Sequence, residues 1–265
     1  MLALSALFIA LPTPYSRVHT HGGFATPPVR RVAASPVSRR ALLGGAFACP
    51  CCLISPGAAD ALAALVTPNS KDLQAFDVPR DARRDSGFAM GMATGMADYE
   101  VAAAPRKRVL FGNLLASLPK TDAVVVELGM GSFPNADFLA AGGESGPQRM
   151  DIIGLDPNDS MEVYARRAAK RAGLLEQGHS VRVVHGVGEA LPLKTGSADA
   201  VVCTLTLCSV VDPERTLAEV RRVLKPGGKL LFWEHVLCET DSSLAMQQEL
   251  TTPMQVVMGS SGVWR

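Results

Sequence analysis

The sequence has few of the features that mark metal-binding, disulfide-stabilised or membrane-spanning proteins. Only six of its 265 residues are cysteines, and three of them lie in the first 61 residues. The other three are an odd number without the spacing of metal ligands: Cys203, Cys208 and Cys238. We therefore expect neither a disulfide framework nor a zinc site. The apolar run at residues 41–54 is also too short, and too rich in glycine and proline, for a convincing membrane-spanning helix.

Acidic residues are absent before Asp60, although arginine recurs there among serine, threonine, proline and alanine. Such a composition is typical of organelle import sequences. The pair Arg39 and Arg40, the apolar run and the A-A-D-A at residues 58–61 resemble a twin-arginine export signal behind a transit peptide. We expect residues 1–61 to be a targeting presequence of a chloroplast protein, with the thylakoid lumen or membrane as the more specific alternatives. A retained apolar segment would instead give peripheral membrane association.

No excess of one charge is present, since 26 basic residues balance 25 acidic ones for a net charge of +1. Nucleic-acid-binding proteins usually carry a basic face, so we expect no nucleic-acid partner. The basic residues at positions 166, 167, 170 and 171 are interpreted as the solvated side of a helix. A hydrophobic fraction of 48% is enough for one α/β domain with a real core.

Short apolar runs that end in glycine or an acid are the main positive signal. The first, A-V-V-V-E-L-G-M-G at residues 123–131, predicts a buried strand that empties into a tight glycine turn beside a bound nucleoside. Further runs follow at residues 152–156, 181–185, 200–205 and 229–235, with helical patterns between them. An amphipathic helix is predicted from Lys107 to Leu118, before the first run, and a second from Met161, capped by Asp159 or Ser160. A third starts with Asp212 as its N-cap and Pro213 in its first turn. This alternation predicts a parallel sheet with right-handed crossovers.

Three further segments give the pattern a family likeness: V-V-C-T-L-T-L-C-S-V at residues 201–210, R-R-V-L-K-P-G-G at 221–228 and W-E-H-V at 233–236. Together with the glycine turn they resemble the class I S-adenosylmethionine-dependent methyltransferases, in particular the methyltransferase-like protein 7 family and its plant and algal relatives. The resemblance covers about residues 90–259. It implies a Rossmann-like three-layer α/β sandwich at residues 90–265, with residues 62–89 as a loosely packed linker.

The C-terminal part departs from the family pattern. A helical stretch is predicted at residues 244–258, after which no residues remain for the sixth and seventh strands that such domains normally add. The fifth strand would then be an exposed edge. Two explanations for the missing strands are an incomplete gene model and a spliced form. The alternative is an edge that the C-terminal helix or a partner chain covers.

The resemblance implies S-adenosylmethionine as cofactor and assigns its site. Asp156 would accept both ribose hydroxyls, Gly188 would offer an amide to adenine, and Glu189 either contacts the base or caps the next turn. Phe133 stands where many relatives have glycine, which leaves open how closely the loop approaches the cofactor. The complete set of expected cofactor-binding residues is Glu127, Gly129, Gly131, Ser132, Asp156, Pro157, Asn158, Gly188, Glu189, Cys203 and Thr204.

The expected partner is a small, hydrophobic methyl acceptor, either a thiol or a quinone or phenol. Because the cofactor supplies the electrophile, a strong base is not obligatory. His235 is a candidate general base, with a structural hydrogen bond as the alternative. Met90, Met92 and Met96 either line the acceptor site or fill the core. The other functions considered are an impaired or truncated binding protein and a nicotinamide-dependent oxidoreductase, whose third glycine is replaced by Pro134. The oligomeric state is not predicted.

Overall fold

The computed structural model describes residues 4–10, 64–68, 70–236, 241–243 and 245–250. Six strands are formed by β1 (Leu4–Ala10), β2 (Ala123–Leu128), β3 (Met150–Asp156), β4 (Ser180–His185), β5 (Ala198–Thr204) and β6 (Leu224–His235). The helices are α1 (Ser70–Phe76), α2 (Ala82–Gly95), α3 (Ala97–Ser117), α4 (Ala136–Ala140), α5 (Glu162–Arg171) and α6 (Pro213–Val223). Within these ranges every helix is too short or too polar to traverse a bilayer.

The six strands form one sheet in the order β1-β6-β5-β2-β3-β4. Strands β2 to β6 are parallel, which confirms the predicted Rossmann-like α/β fold. Strands β2 and β3 are buried along their whole length, as expected for valine- and isoleucine-rich strands with both faces covered. Side chains of α3, α4 and α5 pack on one face of the sheet. Those of α6 and of the chain around Leu191 pack on the other, which completes three layers.

Strand β1 covers the outer edge of β6. It runs antiparallel to β6 in a register from Leu4 opposite His235 to Ala10 opposite Lys229. The C-terminal helix or a partner chain was expected to cover this edge. Instead, residues 4–10 lie there and pair with the open backbone groups of β6. The remainder of the predicted presequence lies outside the described residues, as does the predicted C-terminal helix beyond residue 250.

The residue that caps the start of α6 is the predicted one, whereas the cap before α5 is a different residue. The carboxylate of Asp212 accepts a hydrogen bond from the Arg215 amide at 2.9 Å, and Pro213 occupies the first turn, as predicted. Asp159 or Ser160 was expected to cap α5. Instead Asn158 accepts from the Ser160 amide at 3.0 Å and caps a 3-10 turn, Asp159–Met161, that leads into the helix. The cap lies earlier because this extra turn precedes α5.

The segment before α3 is more ordered than a linker. Helices α1 and α2 form where a loosely packed lead-in was expected, and α3 begins at Ala97, ten residues before the predicted helix at 107. Asp81 caps α2 by accepting from the Arg84 amide at 2.8 Å. The helical signal was obscured by Pro79 and by the many charged residues around it.

Candidate active site

A cavity of about 790 Å³ lies beyond the carboxyl ends of the parallel strands, within the size range of small-molecule sites. Its floor consists of the turns that follow β2, β3, β4 and β5. Residues of α1, α2 and the loop between them form the opposite wall. Ligands of open α/β sheets bind at this end of the strands, so the cavity is the candidate active site.

The glycine turn after β2 is shaped by two residues with positive φ. Gly129 has φ +63°, and a Cβ there would lie 2.4 Å from the Thr206 hydroxyl. That hydroxyl donates to the Leu128 carbonyl at 3.0 Å, so Thr206 is fixed against the turn. Gly131 has φ +55°, and its nearest neighbour to an added Cβ is the Gly129 carbonyl at 3.9 Å. This open space allows a ligand to approach the backbone closely.

Phe133 does not block this approach. It also has a positive φ, +63°, and therefore adopts the backbone conformation that a glycine would take. Its ring is fully buried in the core between the sheet and helices α3 to α5, and does not line the cavity. The question raised by the sequence is thus answered by the direction of the side chain.

Asp156, at the end of β3, holds two turns together. One carboxylate oxygen accepts from the Gly131 amide at 2.9 Å, and the other accepts from the Asn158 amide at 2.8 Å. Burial raises the pKa of Asp156, and these two donors together with Arg80 only partly offset that effect. A carboxylate offers about four acceptor positions, so two remain for hydroxyl groups of a ligand. The residue that was expected to bind the ribose also fixes the glycine turn.

A buried polar cluster adjoins the cavity through Thr204, which lines it, whereas Glu127 and Asn135 are not among the described residues that line it. Asn135 donates to Glu127 at 2.8 Å and to Thr204 at 2.9 Å. The second carboxylate oxygen of Glu127 and the amide oxygen of Asn135 are buried without a partner. Burial raises the pKa of Glu127 to about 8. Close by, the fully buried Lys107 forms an ion pair with Glu100 at 2.8 Å, and both line the cavity.

The cluster and the turns lie within a recognised domain. Residues 126–232 match the methyltransferase domain family, and this range contains Glu127, both glycines, Asp156 and Thr204. This range is therefore a methyltransferase domain, which confirms the predicted resemblance to the class I S-adenosylmethionine-dependent methyltransferases. It is 37% identical over 150 residues to the human thiol S-methyltransferase TMT1B, covering 56% of this chain and 57% of that protein.

A second relative is the ubiquinone/menaquinone biosynthesis C-methyltransferase UbiE of Cronobacter sakazakii, which is 35% identical over 99 residues, or 37% of each chain. Among solved structures, a possible histamine N-methyltransferase from Thermotoga maritima is 27% identical, covers 64% of this chain and 70% of its own, and has a TM-score of 0.41. The chain spans about half the length of the first curated relatives that it matches.

The methyltransferase site fits S-adenosylmethionine on its own chemistry. Two free acceptor positions on Asp156 match a ribose diol, and the open backbone at Gly131 matches close packing of a nucleoside. The unpartnered oxygens of Glu127 and Asn135 match a cationic amino group. The cavity is also lined by four other residues of the expected cofactor-binding set: Ser132, Pro157, Gly188 and Thr204.

Gly188 and Glu189 line the cavity but also have structural roles. A Cβ on Gly188 would lie 2.8 Å from Thr216, so the glycine allows α6 to pack closely. The carboxylate of Glu189 accepts from the amides of Val211 at 2.6 Å and Asp212 at 3.0 Å, just before α6. Of the two interpretations of Glu189, the geometry supports the cap.

Cys203 and His235 are not among the described residues that line the cavity. The Cys203 thiol is buried 3.4 Å from Glu234, and burial raises its pKa well above the ordinary value. Partial burial lowers the pKa of His235 at the end of β6. The structure therefore gives His235 no contact with the cavity from which it could act as a base.

Two residues that shape the site were not predicted from the sequence. Glu234 accepts from the amides of Thr206 at 2.8 Å and Leu207 at 2.9 Å, and so holds the turn after β5 against β6. The other is Phe88 on α2, which lines the cavity together with Met92 and Met96, two of the three methionines considered for the acceptor site. Met90 is 58% exposed and does not contribute. The acid in W-E-H-V was the available signal for Glu234.

Proposed function

We propose that this methyltransferase acts on a small hydrophobic acceptor, with a thiol as the first choice and a quinol or phenol as the second. The observation that carries the proposal is the mixed lining of one cavity of about 790 Å³. Gly129, Gly131 and Asp156 line it, and so do the apolar side chains of Phe88 and Met92. An apolar acceptor can therefore lie in the same space as a bound cofactor.

S-adenosylmethionine, when bound, supplies a methyl group made electrophilic by the positive sulfonium. The chain's contribution is to bind, orient and exclude water. Asp156 orients the ribose, the Glu127–Asn135 pair receives the amino group, and Lys107 with Glu100 closes that end. Methionine and phenylalanine side chains exclude water from the acceptor and adapt to its shape.

The preference for a thiol over a phenol follows from the ionisable side chains that line the cavity. The described lining includes aspartates, glutamates, arginines and one lysine, but no histidine. Thiolate sulfur attacks a sulfonium methyl group more readily than phenolate oxygen does, and a cysteine-type thiol, with an ordinary pKa near 8.5, is partly ionised at neutral pH without a protein base. A phenol, with a pKa near 10, is ionised about thirtyfold less. The similarity to a protein named as a thiol S-methyltransferase supports the same order.

Calorimetric titration of the full-length chain with S-adenosylmethionine, and separately with a nicotinamide dinucleotide, tests the cofactor assignment. Saturable binding of the first alone is expected, and Asp156→Ala should weaken it by roughly tenfold or more because two hydroxyl contacts to a charged group are lost. Transfer of a labelled methyl group to alkyl thiols and quinols then ranks the acceptors. A folded chain that binds neither cofactor would favour a non-catalytic binding protein.

We further propose a chloroplast location directed by residues 1–61. The support is compositional: no acidic residue occurs before Asp60, and a twin arginine precedes an apolar run. A fusion of these residues to a fluorescent protein should accumulate in plastids. Replacing Arg39 and Arg40 by glutamine should leave plastid import intact and abolish any transfer into the thylakoid lumen. Cytosolic fluorescence of the unaltered fusion would contradict the proposal.

A further inference from the structure

Helix α2 covers the apolar part of the cavity with little packing of its own. It is 14 residues long, and its buried residues are Asp85 and Ala89 alone. Its apolar side chains Phe88, which is 46% exposed, and Met92 line the cavity rather than a core. Since burial of apolar surface is the main force that fixes a helix, polar contacts must set the position of α2.

Among the described hydrogen bonds of α2, the one from Asn158 joins this helix to the most distant part of the sequence. The Asn158 side-chain amide donates to the Asp85 carbonyl at 3.0 Å, and Asn158 is only 3% exposed. The carboxylate of Asp85 is in turn held by two bonds from Arg80, at 2.7 and 2.8 Å. The start of α2 is thereby tied to the turn that follows β3.

The backbone of the same residue contacts Asp156, the carboxylate expected to bind the ribose. The Asn158 amide donates to Asp156 at 2.8 Å, while its side-chain oxygen accepts from Ser160. One residue thus connects the ribose-binding group to the helix that walls the acceptor space. A second connection runs beside it, because His185 lies between Asp159 at 2.7 Å and Asp77 at 3.1 Å.

We propose that Asn158 is a positioning residue for the methyl acceptor: it holds Phe88 and Met92 of α2 at a fixed distance from the cofactor bound at Asp156. This rests on the proposed function. The proposal predicts that a change at Asn158 affects the binding of acceptor and cofactor differently. Loss of the side-chain donor weakens acceptor binding, whereas cofactor binding, which uses the backbone amide of Asn158 and the Asp156 carboxylate, is retained.

Asn158→Asp is the first variant, because it keeps the oxygen that accepts from Ser160 and the backbone amide, and replaces the donor to Asp85 by an oxygen, with an added charge. Asn158→Ala serves as a second variant without the added charge. The control is Glu162→Gln, which breaks the exposed pair with Arg166 at the start of α5. All are made in the full-length chain, with 1-octanethiol as acceptor and S-adenosylhomocysteine as bound product.

For both Asn158 variants we expect KM for octanethiol to rise about fivefold to tenfold, as for loss of one buried hydrogen bond. The values of kcat and of the cofactor Kd should stay within about twofold, and amide exchange in residues 85–95 should accelerate. Glu162→Gln should match the wild type. Unchanged KM and unchanged α2 exchange in both variants would overturn the proposal, as would an equal loss of cofactor affinity.

The proposed function can fail separately. If the wild type binds no cofactor, the proposed function is refuted. Amide hydrogen exchange of α2 in the Asn158 variants then decides alone whether the bond from Asn158 to Asp85 holds this helix. If the wild type binds cofactor but methylates no thiol, the Kd of octanethiol measured with S-adenosylhomocysteine present replaces KM. No weakening of that Kd in either variant would then refute the positioning role.

Discussion

The contact between Gly129 and Thr206 makes a quantitative test of the glycine turn possible. In Gly129→Ala, a side chain with φ near +63° costs about 1–2 kcal/mol. The new Cβ would also lie 2.4 Å from the Thr206 hydroxyl, which must move and give up its bond to Leu128, at about 1 kcal/mol. The expected loss in the free energy of unfolding is therefore about 2–3 kcal/mol.

Thr206→Ala removes the same hydrogen bond and should cost about 1 kcal/mol. It also removes the two nearest atoms, so that the closest remaining contact to the new Cβ is the residue 206 Cβ at 3.0 Å. The double variant should thus lose about 2–3 kcal/mol rather than the additive 3–4, a coupling of about 1 kcal/mol. Denaturant unfolding of the wild type, both single variants and the double variant measures it.

Gly131→Ala is the control for this cycle. Its φ of +55° imposes a similar backbone cost, but an added Cβ meets nothing closer than 3.9 Å. Its combination with Thr206→Ala should be additive, while its Cβ, placed in the space left for the nucleoside, should weaken cofactor binding more than stability. If the Gly129 cycle were additive, or the Gly131 cycle were coupled, the steric account of the turn would be wrong.

Three further predictions concern titration and the turn after β5. Burial raises the pKa of Glu127 to about 8. The cofactor-free wild type should therefore lose stability relative to Glu127→Gln as the pH rises from about 4.5 to about 8. Thermal melts measure this, and an equal pH dependence of the two proteins would contradict it. Partial burial opposes protonation of His185, but the carboxylates of Asp159 and Asp77 prevail and raise its pKa. The stabilisation relative to His185→Asn should be complete below about pH 6.5 and disappear as the pH rises through the raised pKa, and a difference that grows with pH would refute it. Glu234→Ala leaves two backbone amides without their acceptor and should cost about 1–3 kcal/mol in denaturant unfolding, whereas Glu234→Gln, which keeps an oxygen, should lose less.

The sequence predicted those site residues whose role depends on their own strand and turn. Gly129 and Asp156 each follow an apolar run directly, and the carboxyl ends of parallel strands meet at one edge of a sheet. No such local signal exists for the bond from Asn158 to Asp85, which joins positions 73 residues apart. The cap formed by Glu189 likewise depends on amides 22 and 23 residues later.

The direction in which a side chain points was the second feature that could not be predicted from the sequence. Phe133 was a concern because its position is often glycine, yet the left-handed backbone turns its ring into the core. Lys107 was expected on an ordinary amphipathic helix and is instead buried against Glu100. Met90, Met92 and Met96 could not be told apart in sequence, since helix rotation alone decides which of them faces the cavity.

The pairing of β1 with β6 places a constraint on when the N-terminal residues can be recognised by other proteins. Receptors and processing proteases act on extended, accessible backbone, and residues Leu4–Ala10 are aligned with β6 along their entire length. Docking of this strand and its capture by a second protein therefore exclude each other. While residues 4–10 are bound by another protein, the outer edge of β6 is left without this strand, and it is covered only after they are released.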